Sequence, residues 1–390
     1  MYALGLQDID IDKIEKIPLA ERLPSNFLKV FECEIPEPKD DEVLVKIFGA
    51  GLNYNSVWQS ICSPLSSKSL IEGHVRRNSK DIHHLKNYYI FGSDGAGIIS
   101  KVGTKVKNWK IGDQVVIHCN VVPTHEKNID DMKSLSQSIW GYETNFGSFA
   151  EYTCVKYNQL LKKPAHLSWP EAGSYMLTLG TAYRMLASNN GAKIQKGENC
   201  LIWGGAGGLG SFAIQICKMI GAKSIAIVSN FEKANYCKSL GADFVINLSE
   251  FGSFEYLNKL ESPNYLFWKK FKNKINDVIN GEVDVVFEHI GKDTLGFSIY
   301  ILKKGGRVVT CAASSGYLAK IDLRYLWMEV KSLIGSHFAN LQEAEMANKL
   351  MINKTIKPVT KTIIKFDQIP IFLDKMYNRE NVFGKIGIKF

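Results

Sequence analysis

One run of glycines constrains this chain more than any other feature. Gly205-Ala206-Gly207-Gly208-Leu209-Gly210 fits the pattern G-x-G-x-x-G. It follows a short apolar strand at 199–203. It opens a helical pattern in which Phe212, Ala213, Ile216, Met219 and Ile220 share one face until Gly221 ends it. Strand, glycine turn and amphipathic helix in that order predict a dinucleotide cradle. The glycines let the backbone approach a pyrophosphate, and the helix N-terminus stabilises its charge. A plain tight turn is the alternative. A P-loop does not fit, because no Gly-Lys-Ser/Thr follows.

The second strand, 224–228, runs into Ser229-Asn230, with Lys233 just beyond. A free ribose 2′-hydroxyl favours an acid at this position. A serine and a lysine suit a 2′-phosphate instead, so NADPH is expected rather than NADH; Glu232 is the counterargument, and its side chain is expected to point away. A helix at 233–240 stopped by Gly241 and apolar strands at 244–246, 283–287 and 307–311 continue the rhythm. Buried strands separated by helices imply a parallel sheet covered on both faces. Residues 250–281 interrupt it and read as an inserted helical excursion.

The first third of the chain has a different texture. Val43, Val45 and Ile47 fall at alternate positions, and Gly112-Asp113 marks a turn between strands, so this region is mainly β. Residues 58–90 and 123–140 read as long excursions. Ser168-Trp169-Pro170-Glu171 has the pattern of a helix start. A helix at 341–352 and a strand at 386–388 close the chain. The expected fold class is α/β: a Rossmann-type doubly wound parallel sheet at 171–335, and a second, β-rich domain made of 1–170 and 336–390.

Composition excludes several functions. Hydrophobic residues make up 45% and charged residues 22%, too apolar for a disordered chain. No run of 18 apolar residues could cross a bilayer, and the start MYALGLQDIDIDKIEK lacks the form of a signal peptide, so no membrane association and a cytoplasmic location are expected. The net charge of +9 comes from scattered bases, apart from Lys269, Lys270, Lys272 and Lys274, and predicts no nucleic acid partner. Eight dispersed cysteines without a C-x-x-C predict reduced thiols and no zinc ribbon.

The order of parts resembles the medium-chain dehydrogenase/reductase superfamily, with its β-rich, GroES-like catalytic domain. Gly92-Ser93-Asp94-Gly95-Ala96-Gly97 then Val102-Gly103 stands where zinc members carry Gly-His-Glu, and a cluster of four close cysteines is missing, so no metal is expected. A closer resemblance covers about 27–390. It runs through Asn53-Tyr54-Asn55-Ser56-Val57-Trp58, the segment from Trp140 to Gly147, Val286-Phe287-Glu288-His289, the segment from Asp322 to Met328, and the segment from Gly335 to Asn340. These are similar to crotonyl-CoA carboxylase/reductases, in which the N-terminal stretch is usually longer. The resemblance implies NADPH-dependent reductive carboxylation of a 2-enoyl-CoA, crotonyl-CoA or longer, with CO2 to an alkylmalonyl-CoA such as ethylmalonyl-CoA. A plain enoyl-CoA or quinone reductase, and an idle relative that only binds NADPH, are the competing readings.

Residue roles follow from that resemblance. It assigns Asn55, Glu143 and His337 to CO2, with Tyr142 shaping the pocket. Taken alone, Asn55 reads as a turn residue, Glu143 as a surface acid and His337 as a core histidine. Ser229, Lys233, Cys311 and the glycine cradle (Gly205, Gly207, Gly208, Leu209, Gly210) are expected at the cofactor. His289 either touches it or caps the sheet. Coenzyme A phosphates call for cations, Arg324 first, then Lys304 with Tyr300. The acyl pocket is expected at Leu177, Thr178, Leu179 and Gly180, where the glycine would leave room for a longer chain. The family likeness also implies a homo-oligomer, a tetramer built from dimers.

Overall fold

The computed structural model describes residues 1–125, 130–251, 264–380 and 382–390. They form two compact units, Met1–Leu177 with Ala339–Phe390, and Thr178–Phe338.

The second unit carries a wholly parallel six-stranded sheet. Its strands lie in the order Phe244–Asn247, Lys223–Val228, Asn199–Ile202, Val283–Glu288, Leu302–Thr310, Ser332–Gly335. Counted along the chain this is 3-2-1-4-5-6, the dinucleotide-binding order, and it reverses between the first and fourth strands. The helix Gly208–Ile220 ends at Gly221 and the helix Phe231–Leu240 at Gly241, both glycines in the left-handed region. Of the expected excursion at 250–281, residues 252–263 lie outside the described residues. The remainder contains the helix Tyr265–Ile279, which buries Trp268, Phe271, Ile275 and Ile279 against the sheet core. That i, i+3, i+7, i+11 stripe covers the sheet, while Lys269, Lys270 and Lys274 face outward. Ser332–Gly335 is an edge strand with exposed side chains.

The first unit is built on a seven-stranded sheet. Its path runs Leu160–Lys162, Gln114–Ile117, Gly95–Val102, Glu42–Gly51, Lys385–Lys389, Thr360–Lys365, and Tyr152–Lys156 also pairs with Glu42–Gly51. Val43, Val45 and Ile47 pack on one face with Ile99, Val115, Ile117 and Trp140. On the other face Leu44 is buried while Lys46 is exposed, so that face is covered only in part. A smaller sheet joins Lys29–Glu32, Tyr2–Gln7 and Tyr88–Ile90.

Two elements depart from the sequence reading. Residues 58–90 include the helix Ser67–Arg77 and the 3-10 segment Ser79–His84. The helix buries only Ser67, Ile71 and His74, so it shows no apolar stripe in the sequence. Ser168 and Glu171 do form a capping box, with the Ser168 Oγ donating to the Glu171 carboxylate at 2.6 Å. The helix it starts, Trp169–Ala172, has four residues, and the longer helix is Met176–Leu186.

Candidate functional site

In the second unit the glycine run sits at the carboxyl end of the first strand, beside the point where strand order reverses. Gly204 has φ +55°, which turns the chain away from the strand. A Cβ at Gly205 would lie 2.7 Å from the Ala226 Cβ, and one at Gly210 would lie 2.4 Å from the Gly204 carbonyl oxygen. These two glycines let the helix pack against its own turn and the next strand. Gly207 differs: a Cβ there would meet nothing closer than that same oxygen at 3.4 Å. Packing within the chain makes no demand for glycine at 207. Gly207, Gly208 and Leu209 are partly exposed at the helix start; the Gly207 N–H is held by the Gly204 carbonyl at 2.9 Å, and the N–H groups of the first helical turn have no partner within the helix.

At the end of the second strand the Lys233 amine donates to the Ser229 Oγ at 3.2 Å. Asn230 is taken up otherwise: its side chain caps the helix Phe231–Leu240 by accepting from the Lys233 N–H at 2.9 Å. Burial lowers the Lys233 pKa. Glu232 is exposed.

The fourth strand ends in Glu288-His289. The His289 Nε2 lies 2.9 Å from the Trp203 carbonyl, and its ring is 3.0 Å from where a Gly204 Cβ would be. His289 is therefore packed under the glycine turn, and burial lowers its pKa. Glu288 is wholly buried. It accepts from the Ile290 and Gly291 N–H groups at 2.7 and 3.2 Å, from Thr294, and from the Ser298 hydroxyl at 2.6 Å. Ser298 in turn accepts from the Trp203 indole at 2.8 Å. This network fixes both strand ends of the crevice. Sequence reasoning passed over Glu288; its signal was an acid closing an otherwise apolar strand. Cys311 stays a neutral thiol, since burial pushes it up to about 12.

Other expected residues of this unit are more dispersed. Arg324 is exposed and forks onto Asp322 at 2.7 and 3.0 Å, and Asp322 also accepts from the Tyr265 hydroxyl at 2.5 Å. Tyr300 packs edge-on against Tyr325, 4.8 Å between centroids, with the Lys272 amine 5.7 Å from its ring. Lys304 is exposed. Leu179 and Gly180 are buried in the helix Met176–Leu186. His337 follows the edge strand. Its ring has substantial solvent access, yet it is recessed among protein atoms. That crowding, with the Arg184 charge as a smaller cause, lowers its pKa to about 4. The next residue, Phe338, holds φ +42° with its ring 4.5 Å from the imidazole.

In the first unit Asn55 lies on the short helix Tyr54–Ser60 and is 8% exposed. Its Nδ2 donates to the Ser93 Oγ at 2.8 Å, and its Oδ1 is buried without a partner. A serine hydroxyl can also donate. A half-turn of the amide therefore keeps the Ser93 contact and presents the NH2 group on the unpartnered side. Beside it, Asp94 is wholly buried and accepts from Asn53 at 3.0 Å, the Leu177 N–H at 2.8 Å and the Lys385 amine at 3.3 Å. Lys385 also donates to the Leu52 carbonyl at 2.7 Å and to Asn53. Burial raises the pKa of Asp94 and lowers that of Lys385, each opposed by the other's charge.

Tyr142 and Glu143 occupy the turn after the strand Ser138–Ile139. The Glu143 carboxylate accepts from the Ile139 N–H at 2.9 Å, and Arg77 stands 3.9 Å away. Burial raises its pKa against both of these. Gln59, one turn along from Asn55, donates to the Tyr142 carbonyl at 3.3 Å. The structure thus ties the Asn55 helix to the Tyr142–Glu143 turn within one unit. Lys385 and Arg77 had no sequence signal, because their meaning lies in contacts between distant segments, and Ser93 and Asp94 stood out only as the place where zinc members carry Gly-His-Glu.

Two family models match this chain. One is described as an alcohol dehydrogenase GroES-like domain, over residues 39–165, and the other as a zinc-binding dehydrogenase, over 208–353. A crotonyl-CoA carboxylase/reductase from Cereibacter sphaeroides is 41% identical over 374 residues, covering 94% of this chain and 84% of its own. A crotonyl-CoA reductase from Streptomyces avermitilis is 42% identical over 347 residues, 88% of this chain and 78% of its own. Among solved structures, the 2-octenoyl-CoA carboxylase reductase CinF, in complex with NADP and 2-octenoyl-CoA, superposes with TM-score 0.94 at 36% identity, covering all of this chain and 87% of the other. The zinc in the second family's description does not fit at Asp94 here. That carboxylate already faces the Lys385 ammonium, and its neighbour is Ser93 rather than histidine.

Proposed function

The chain belongs to the crotonyl-CoA carboxylase/reductase family, and from that premise we propose that it catalyses NADPH-dependent reductive carboxylation of a 2-enoyl-CoA. The product is an alkylmalonyl-CoA, ethylmalonyl-CoA when the substrate is crotonyl-CoA. Bound NADPH supplies the hydride that goes to the β-carbon of the unsaturated thioester. The electron pair displaced from the double bond resides on the α-carbon and thioester oxygen, and the α-carbon then bonds to the carbon of CO2.

The glycine-lined helix start at Gly205, Gly207, Gly208, Leu209 and Gly210 fits a pyrophosphate, because Gly207 leaves room that no protein atom fills. Ser229 and Lys233 form a donor pair for a 2′-phosphate. His289 supports the turn from below, and Cys311 closes the fifth strand as a neutral thiol. Arg324 is assigned to the CoA phosphates, with Lys304 and Tyr300 as lesser contacts. Leu179 and Gly180 are assigned to the acyl chain.

CO2 is neutral and weakly held, so its capture depends on donors aimed at its oxygens and on exclusion of water. Asn55 is the observation that carries the carboxylating half of the reading: a buried amide, fixed at one end by Ser93, with its other end unpartnered. Glu143 is held by backbone and Arg77, and orients the Tyr142 turn. His337 takes the role of a neutral imidazole, consistent with a pKa near 4. The exposed edge strand Ser332–Gly335, with Trp327 at 68% and Val330 at 69% exposure nearby, suits pairing with a second copy, in line with a tetramer built from dimers.

The test is an enoyl-CoA panel with NADPH, with and without 13C-bicarbonate, read by product mass. Incorporation of one labelled carboxyl group per NADPH oxidised is expected. Quantitative formation of the saturated acyl-CoA in the presence of bicarbonate would identify a plain enoyl-CoA reductase.

A further inference from the structure

One cluster in the first unit has no part in the reading above. His74, from the helix Ser67–Arg77, and Asp81 and His84, from the segment Ser79–His84, each bring a ligand-type atom to within 4.8 Å of the other two, and all three side chains are buried. The His74 Nε2 and the Asp81 Oδ2 are 3.2 Å apart. A tetrahedral zinc with arms of about 2.0–2.1 Å separates its ligand atoms by about 3.3 Å. One edge of such a tetrahedron is therefore already in place.

The surroundings have the form of a metal site rather than of a single hydrogen bond. The second ring nitrogen of His74, Nδ1, faces the Ser138 Oγ at 2.9 Å, the outer contact that a ligating imidazole usually makes. The Arg77 guanidinium donates to the same Ser138 oxygen at 3.0 Å, which leaves it further bound in place. The other oxygen of Asp81, Oδ1, lies 3.7 Å from both the Lys39 and the Lys156 amines, so Oδ2 is the oxygen left to face inward. His84 is 7% exposed and its Nδ1 is buried with no hydrogen-bond partner. His83 stacks on it at 4.3 Å between centroids, with its own Nε2 turned to the Glu42 carboxylate at 3.7 Å. Unsatisfied buried nitrogens are rare in native proteins and call for a ligand.

Charge does not forbid a dication. Lys39 and Lys156 oppose it, but Asp81 is joined by Asp41 and Glu42, 3.7 and 3.9 Å from the Lys156 amine. We propose that His74, Asp81 and His84 form a structural site for one divalent transition-metal ion, zinc by ligand type, with water completing the shell. It is separate from the zinc position of the zinc members, where this chain has Ser93 and Asp94. Its effect is to clamp the segment 67–84. Arg77 and Asn78 in that segment hold Ser138 and the Ser136 carbonyl, at 3.0 Å each, just ahead of the Tyr142–Glu143 turn.

The test uses the full chain, stripped with a chelator and titrated with Zn2+ by calorimetry and with Co2+ by visible absorption. X-ray absorption is then measured on the zinc-loaded wild type. Expected are one ion per chain, a shell of nitrogen and oxygen including two imidazoles, and a raised unfolding midpoint. Asp81→Asn keeps size and hydrogen bonding but removes the charge, and His84→Gln removes a ligand; each should weaken binding by about a hundredfold or more. Absence of saturable uptake by the wild type, sulfur in the shell, or unchanged affinity in both variants would overturn the site. The wild-type measurements decide even if a variant fails to fold. Because the readout is bound metal, the result is independent of whether the chain carboxylates its substrate.

Discussion

Alanine at Gly207 separates what the fold requires from what a ligand requires. Gly207 sits at φ −75°, ψ 174°, a conformation alanine adopts freely. The new methyl meets no protein atom closer than 3.4 Å. Alanine is a poorer N-cap, costing about 1 kcal/mol, and a stiffer unfolded chain returns about 0.4–1 kcal/mol. Stability should therefore change by less than about 1 kcal/mol. Binding should not be spared. The methyl fills space at the helix start where a pyrophosphate would accept backbone N–H groups, and one charge-assisted bond is worth about 1.5–3 kcal/mol. At about 1.4 kcal/mol per decade, the NADPH Kd should rise about ten- to a hundredfold. Gly210→Ala is the contrast: its Cβ would stand 2.4 Å from the Gly204 oxygen and 2.6 Å from the Gly205 Cα. That backbone must move, at about 1–3 kcal/mol, and both stability and binding should fall. Urea unfolding and a fluorescence titration with NADPH measure the two quantities. Wild-type NADPH affinity in Gly207→Ala, or a stability loss there equal to that of Gly210→Ala, would refute the assignment of the open space to a phosphate.

Lys233→Ala should raise the KM for NADPH about ten- to a hundredfold, the worth of one charged contact, and leave NADH kinetics unchanged; an equal effect on both cofactors would remove Lys233 from the 2′-phosphate. Glu143→Gln retains an acceptor for the Ile139 N–H, so the turn should survive while the product shifts from carboxylated to merely reduced acyl-CoA; an unchanged product ratio by mass spectrometry excludes Glu143 from CO2 handling. The His337 pKa lies near 4, below the ordinary 6.5, so the ring is neutral from alkaline pH down to about 5 and charges only below that. At a fixed concentration of dissolved CO2, the carboxylated fraction of product should accordingly show no His337 titration between about pH 8 and 5.5, and a titration centred near 6.5 would contradict that reading.

The cradle was legible because its physics is local. A strand, five glycines and an amphipathic helix lie within about 22 consecutive residues, so the pattern can be read from one window of sequence. The caps at Gly221 and Gly241 were readable for the same reason. Ser67–Arg77 was not: the helix buries a serine and a histidine beside one isoleucine, Ile71, too few apolar positions to mark a period. The first strand, Tyr2–Gln7, is buried in the middle of a small sheet whose partners come from residues 29–32 and 88–90. No window of sequence contains that pairing. Asp94 and Lys385 make the point at its extreme, since each looks like a solvated charge until the other is found 291 residues away.

The strand Lys385–Lys389 lies between Glu42–Gly51 and Thr360–Lys365, in the interior of the larger sheet. During synthesis on the ribosome, that slot stays vacant until residues 385–389 have been made, and Asp94 waits without its counter-charge. The contiguous Thr178–Phe338 unit faces no such delay. The nascent polypeptide should therefore be able to acquire its nucleotide-binding half before its β-rich half, which is complete only after residues 385–389 have emerged.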